Sequence, residues 1–129
     1  MNAATPDELD TLFAKALNAG DLDALMALYE PGATLMASPG SVVAGTAAIR
    51  TALAGFLAGK PAMTISARTL SQTGDLALVS AQWRLSMTSP DGKSATLNGQ
   101  SVEVLRRQPA GHWLFAIDFP FGVSPVGQT

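Results

Sequence analysis

The chain has 129 residues, enough for one domain to bury a real core. Hydrophobic residues make up 47% and charged residues 14%, too apolar for a disordered chain, and 8 basic against 10 acidic residues give a net charge of −2 with no basic stripe, which argues against a nucleic-acid partner. There is no cysteine, so disulfides and thiolate chemistry are excluded, and no run approaches the roughly 18 apolar residues that a membrane helix needs.

Thr5 and Glu8 are spaced as a capping box, and Pro6 suits a first helical position. Leu9, Leu12, Phe13, Ala16 and Leu17 then recur at helical spacing, which predicts a helix closed by Gly20. Asp21 is placed to cap a second helix that carries Leu22, Leu25, Met26 and Tyr29 and stops at Pro31-Gly32. Ala33 to Ala37 reads as a short strand, and Ser38-Pro39-Gly40-Ser41 as a turn. Thr46 reads as the cap of a third helix that buries Ile49, Leu53, Phe56 and Leu57 and ends at Gly59 and Pro61.

The second half reads as strands. Met63 to Ser71 leads to a turn at Thr73-Gly74-Asp75, and Leu76 to Thr88 follows. In that strand Ala77, Val79, Ala81, Trp83, Leu85 and Met87 share one face, and Leu76, Leu78, Ser80, Gln82, Arg84 and Ser86 the other. Pro90-Asp91-Gly92-Lys93 is a hairpin signal before a strand from Ser94 to Arg107. Pro109-Ala110-Gly111 turns the chain into a last strand, Trp113 to Phe119, and residues 123–129 read as a loose tail. No repeat or linker divides residues 1–129, which are expected to form a single domain. Helices followed by an antiparallel meander give an α+β fold, and a strongly bent sheet leaves a hollow suited to a small molecule. The first residues carry no basic region and no long apolar run, so a cytoplasmic protein is expected.

The runs Ala16-Leu17-Asn18-Ala19-Gly20-Asp21-Leu22-Asp23, Ala33-Thr34-Leu35 and Gly45-Thr46-Ala47-Ala48-Ile49-Arg50 together resemble the start of ketosteroid isomerase and its SnoaL-like and NTF2-like relatives. The resemblance spans about residues 9 to 122. It implies a cone-shaped NTF2-like fold, with three N-terminal helices packed on a strongly curved, mainly antiparallel sheet, one apolar pocket and a sheet-to-sheet homodimer. The isomerase uses a carboxylate base and an oxyanion hole made of a tyrosine and a protonated aspartate. The positions of the tyrosine and the base fall on Phe13 and Ala37, which can supply neither group. That of the oxyanion aspartate falls on Glu103, still an acid. Steroid isomerisation by the family mechanism is therefore not expected. The polyketide-cyclase branch is similar in another way, with one acid late in the sheet, and its match here is Asp118.

Asp118 and Glu103 are thus the candidate catalytic acids, each with a plainer alternative. Asp118, among Phe115, Ile117, Phe119 and Phe121, is an acid–base group or a structural acid near a strand end. Glu103 shares a face with Ser101 and Leu105, and is a pocket acid or a surface glutamate paired with an arginine such as Arg84. Phe13, Leu17, Met36, Ala37, Phe56, Met63, Trp83 and Phe115 are candidate pocket walls, or simply core. One histidine, His112 at a hairpin exit, and no cysteine leave no nitrogen- or sulfur-rich metal site, and no cofactor is expected. Leu76, Leu78, Val102 and Val104 put more apolar surface on the sheet than one set of helices can cover, which predicts a homodimer. Two functions stay open. One is acid–base chemistry on a small hydrophobic carbonyl compound, by isomerisation, cyclisation or dehydration. The other is a non-catalytic module for ligand binding or dimeric assembly.

Overall fold

In a computed structural model that describes residues 2–123, helices come first and sheet afterwards. The order is α1 (Glu8–Ala19), α2 (Leu22–Met26), β1 (Tyr29–Ser38), β2 (Ser41–Ala44), α3 (Thr46–Ala58), β3 (Ala62–Thr73), β4 (Leu76–Thr88), β5 (Ser94–Arg107) and β6 (Trp113–Phe119). The strands form one curved sheet in the order β2-β1-β6-β5-β4-β3, and only the β1–β6 pairing is parallel. The three helices cover one face, α1 lying over β3 and β6 and α3 over β1. No helix among the described residues is long and apolar enough to cross a membrane.

Local chemistry accounts for the helical half. Gly20 adopts a left-handed conformation (φ 67°) and its N–H closes α1 on the carbonyls of Ala16 and Leu17. Asp21 caps α2 by accepting the Ala24 N–H at 3.0 Å. Asn18 belongs to the same run but works at long range. Its amide donates to the Met63 carbonyl at 2.9 Å and its oxygen accepts the Met63 N–H at 2.6 Å, which fastens α1 to β3.

Three expected details are corrected. The Thr5–Glu8 capping box does not form: Asp7 is the N-cap, and the Glu8 carboxylate accepts the Ala4 N–H at 2.9 Å instead. Gly45, not Thr46, caps α3, and the Thr46 hydroxyl donates to the Pro31 carbonyl at 3.4 Å. The second helix ends at Met26, so Tyr29 opens β1, and Pro31-Gly32 is an irregularity inside that strand. Pairing of β1 with β6 jumps there from Tyr29–Phe115 to Thr34–Ile117. Proline is tolerated because β2 joins the other side of β1 only from Thr34 onward. The turn near Gly40 (φ 78°) is the β1–β2 hairpin, and β2 itself was not expected.

In the β half, β4, β5 and β6 begin and end where alternation places them, and β3 is slightly longer. The inward face of β4 carries Ala77, Val79, Ala81, Trp83 and Leu85, all buried. They pack with Leu9, Leu17, Leu35, Leu53, Leu105 and Phe115 in the core. Val123 is exposed, and residues 124–129 of the expected tail lie outside the described residues.

Candidate functional site

Strict alternation along β6 would put Asp118 on the opposite face from Trp113 and Phe115. It does not, because Ala116 is an extra residue: Leu105 pairs with Phe115, and Val104 with Ile117. The bulge turns Asp118 inward and leaves Ile117 41% exposed on the outer face. Asp118 then stands directly opposite Glu103, which on its other side faces Val79. Side chains paired in this way have Cβ atoms about 4.5–5.5 Å apart. Asp10 reaches the same place from α1, where Asp10, Phe13 and Leu17 fall at i, i+3 and i+7 on one stripe. The three acids are 2% (Asp10), 2% (Glu103) and 5% (Asp118) exposed.

Two hydroxyls serve this cluster. Tyr29 donates to Asp118 Oδ2 at 2.5 Å, and Ser101 donates to Glu103 Oε2 at 2.6 Å. Asp10 Oδ2 and Glu103 Oε1 are buried with no N–H or hydroxyl donor among the described residues, and the two carboxyl groups have only each other. Burial of acids beside acids makes their charges costly, so protons are held. Burial first, then the hydrogen bond and negative charge of Asp10 and the charge of Asp118, push Glu103 up to about 11, although the Ser101 hydroxyl opposes this. Burial pushes Asp118 up to about 7, against the Tyr29 hydroxyl and with the charge of Asp10. Burial also raises Asp10 to about 6; its hydrogen bond with Glu103 holds it down, and the charge of Asp7 adds to the rise. The Tyr29 phenol is pushed well above its ordinary value, chiefly by burial and then by the charge of Asp118, so it stays a donor. Near neutral pH, Glu103 is the acid that keeps its proton, while Asp10 and Asp118 are both raised towards neutrality.

These acids form the polar end of a narrow cavity of about 60 Å³. Its walls are apolar and rich in aromatic rings: Phe13, Leu17, Leu35, Leu53, Phe56, Met63, Ile65, Trp83, Leu85, Leu97, Pro120 and Phe121. Trp83 crosses the sheet above Gly99, where a Cβ would lie 2.2 Å from its Cζ2 atom. Its indole N–H donates to the Pro120 carbonyl at 2.6 Å, and Phe121 meets it edge-on at 5.8 Å. The segment after β6 is thereby folded back over the cavity.

Of the residues singled out in the sequence, Glu103, Asp118, Phe13, Leu17, Phe56, Met63 and Trp83 come together here. Met36, Ala37 and Phe115 are not among the lining side chains. Leu35 points inward, so Met36 faces away by alternation, and the β1–β2 register shifts just after it, past Ala37. Phe115 is core, wedged against Tyr29 at 5.0 Å and Phe13 at 6.2 Å. The pairing of Glu103 with Arg84 does not occur, because Arg84 lies on the other face of β4. Sequence reasoning missed Asp10, Tyr29 and Ser101. The spacing of Asp10 to Phe13 and Leu17 was the available signal for the first. Among the described residues, no group of three His, Asp or Glu side chains is arranged to hold a metal, and no Lys, Arg or His lines the cavity.

Residues 9–113 match the family model described as a SnoaL-like domain. The fold is similar to that of a ketosteroid isomerase-like protein from Erwinia carotovora atroseptica SCRI1043, at 20% identity over 92% of this chain and 93% of that one, with a TM-score of 0.78. It is also similar to a protein from Novosphingobium aromaticivorans DSM 12444 provisionally named a scytalone dehydratase, at 15% identity over 95% and 91% of the two chains, with a TM-score of 0.78. A third similar structure, from Xanthomonas campestris, is provisionally named a calcium/calmodulin dependent protein kinase II association domain, at 23% identity over 97% and 96%, with a TM-score of 0.72. At these identities the likeness is one of fold. No curated protein matches the sequence.

Proposed function

We infer that this chain, which belongs to the SnoaL-like domain family, moves protons on a small, largely apolar carbonyl compound. The observation that carries the inference is the direct pairing of Glu103 with Asp118 inside one cavity, two acids with well separated proton affinities. Separation of that kind assigns roles: the group that keeps its proton donates, and the one poised near neutrality accepts. Glu103 would hydrogen-bond the carbonyl oxygen as negative charge develops there. Asp118, aimed by Tyr29, would take a proton from the adjacent carbon. Returning that proton to another carbon completes an isomerisation; delivering it to a departing hydroxyl completes a dehydration. The dehydratase name borne by one structural relative is consistent with the second outcome. Apolar walls above the acids suit proton transfer on a largely apolar compound.

The test is deuterium exchange in D₂O, followed by NMR, on a panel of small cyclic ketones and β-hydroxy ketones. Wild-type protein should exchange the α-protons of at least one. Glu103→Gln and Asp118→Asn should each slow this by about 10²–10³-fold. No exchange with any member, or exchange that survives both substitutions, overturns the reading.

Assembly is a compatible second property. Leu78, Val104 and Ile117 form one cross-strand row on the outer face of the sheet, and Val102 with Phe119 the next. This strip supports a homodimer joined sheet to sheet, and one structural relative bears the name of an association domain.

A further inference from the structure

Asp10 has no part in the proton transfer just described, yet it is buried at the polar end of the cavity. We propose that Asp10 is the seat of a protonated amine, so that the ligand is an amine-bearing carbonyl compound whose ammonium group rests on Asp10 while its oxygen meets Glu103. The inference builds on the proton-transfer reading for the carbonyl, and adds the class of compound.

The first support is an unmet need for donors. Asp10 Oδ2 and Glu103 Oε1 are shielded from solvent and find no N–H or hydroxyl donor among the described residues, only each other, although both side chains line open space. A buried acceptor left unpaired costs about 1–3 kcal/mol, and more when charged. An ammonium carries up to three N–H donors and a compensating charge.

The second support is the placement of the chain's own cations. Arg50 pairs with Asp23, Arg106 with Glu30 and Arg107 with Asp75, all at the surface. No Lys, Arg or His among the described residues reaches the cavity. The cation that would balance a buried carboxylate must therefore come from outside, unless the cluster stays quiet by sharing a proton between Asp10 and Glu103.

The walls give the third support. Phe13 stands one turn along α1 from Asp10, and Phe56, Trp83 and Phe121 complete an aromatic lining. Aromatic faces attract a cation while accommodating an apolar body, whereas a ligand carboxylate would meet acids only. Asp10 holds its proton far less firmly than Glu103, so it is the member of that pair that carries the charge.

The test uses three probes of one shape, cyclohexylamine, cyclohexanol and cyclohexanecarboxylate, titrated into the full chain at pH 7 and followed by amide NMR. Cyclohexylamine should bind at least about tenfold more tightly than cyclohexanol, and the carboxylate should not bind. The preference should shrink at pH 5, where Asp10 and Asp118 gain protons. The groups facing that site are Asp10 and, more distantly, Asp7 from α1, Tyr29 from β1, Glu103 from β5 and Asp118 from β6; α3, β3 and β4 present only apolar side chains to it. Asp10→Asn should erase the preference while leaving cyclohexanol binding intact. Equal binding of amine and alcohol by wild type overturns the proposal without needing any variant. If ketone exchange persists in that case, the proton-transfer reading stands and only the amine seat falls. Failure of all three probes to bind overturns the proposal and counts against a ligand cavity altogether.

Discussion

Glu103 keeps its proton far above the pH at which an exposed glutamate loses it, and Asp10 and Asp118 do so to a lesser degree. The folded state therefore binds protons that the unfolded chain releases above about pH 4. The sign follows: this stabilisation is complete below the unfolded values and is lost as pH rises, through about 6 for Asp10, about 7 for Asp118 and on towards about 11 for Glu103. The thermal midpoint should be higher at pH 5 than at pH 8, by an amount worth about 2 kcal/mol or more. Glu103→Gln, which copies the neutral acid, should flatten that slope. Circular-dichroism melts at both pH values decide it, and a wild-type midpoint that climbs towards pH 8 contradicts it. A second single-residue prediction concerns Gly99. An added methyl group would press within 2.2 Å of the Trp83 ring and push the indole off the Pro120 carbonyl. Gly99→Ala should cost about 1–3 kcal/mol and shift tryptophan emission, while a variant with unchanged melting and spectrum would mean that Trp83 does not lie where described.

Between elements, the bond that matters most for the cavity is the double clasp of Asn18 on Met63, because α1 and β3 both supply walls to it. Asn18→Ala should destabilise the fold by about 1–2 kcal/mol and accelerate amide exchange along the start of β3; protection unchanged there would count against the clasp. Elements also show where the sequence was legible. Alternation was enough to bound β4, β5 and β6, since each strand is half buried and its period is plain. It failed at Tyr29, whose spacing from Leu22, Leu25 and Met26 fits a helix equally well. What decides the matter is a hydrogen bond to Asp118, 89 residues later, which no local pattern contains. β2 has four residues and only two large apolar ones, too little to register as a strand. Glu103 and Asp118 were legible as late acids in the sheet, but not the face they occupy: a bulge reverses it at Asp118, and apolar residues on both faces of β5 hide it at Glu103. Asp10 was passed over because an acid in the first turn of a helix is already explained by the helix dipole.

The molecule as a whole has two unlike surfaces on one sheet. The concave side is closed by helices; the outer side shows Leu78, Val104 and Ile117 in a row, with Leu78 37% and Ile117 41% exposed. Apolar rows of this kind at a low surface charge favour pairing with a second copy. Wild-type protein at tens of micromolar should sediment as a dimer, and Ile117→Lys should sediment as a monomer with its helical content preserved. A monomeric wild type removes the sheet-to-sheet dimer, and a dimeric Ile117→Lys moves it to another face.

The bulge at Ala116 links backbone pairing to the placement of the cavity acid. With Ala116 removed, β6 would pair in plain alternation, Phe115 with Leu105, Ile117 with Val104 and Asp118 with Glu103, and every side chain beyond would keep its side. A chain that kept Ala116 but flattened the bulge would instead turn Ile117 into the cavity and the Asp118 carboxylate into the outer apolar row, without altering a single side chain. For any descendant of this gene, the face that Asp118 takes is set by how the strand absorbs the residues between Phe115 and Asp118, a record of the cavity acid that side-chain identity alone does not carry.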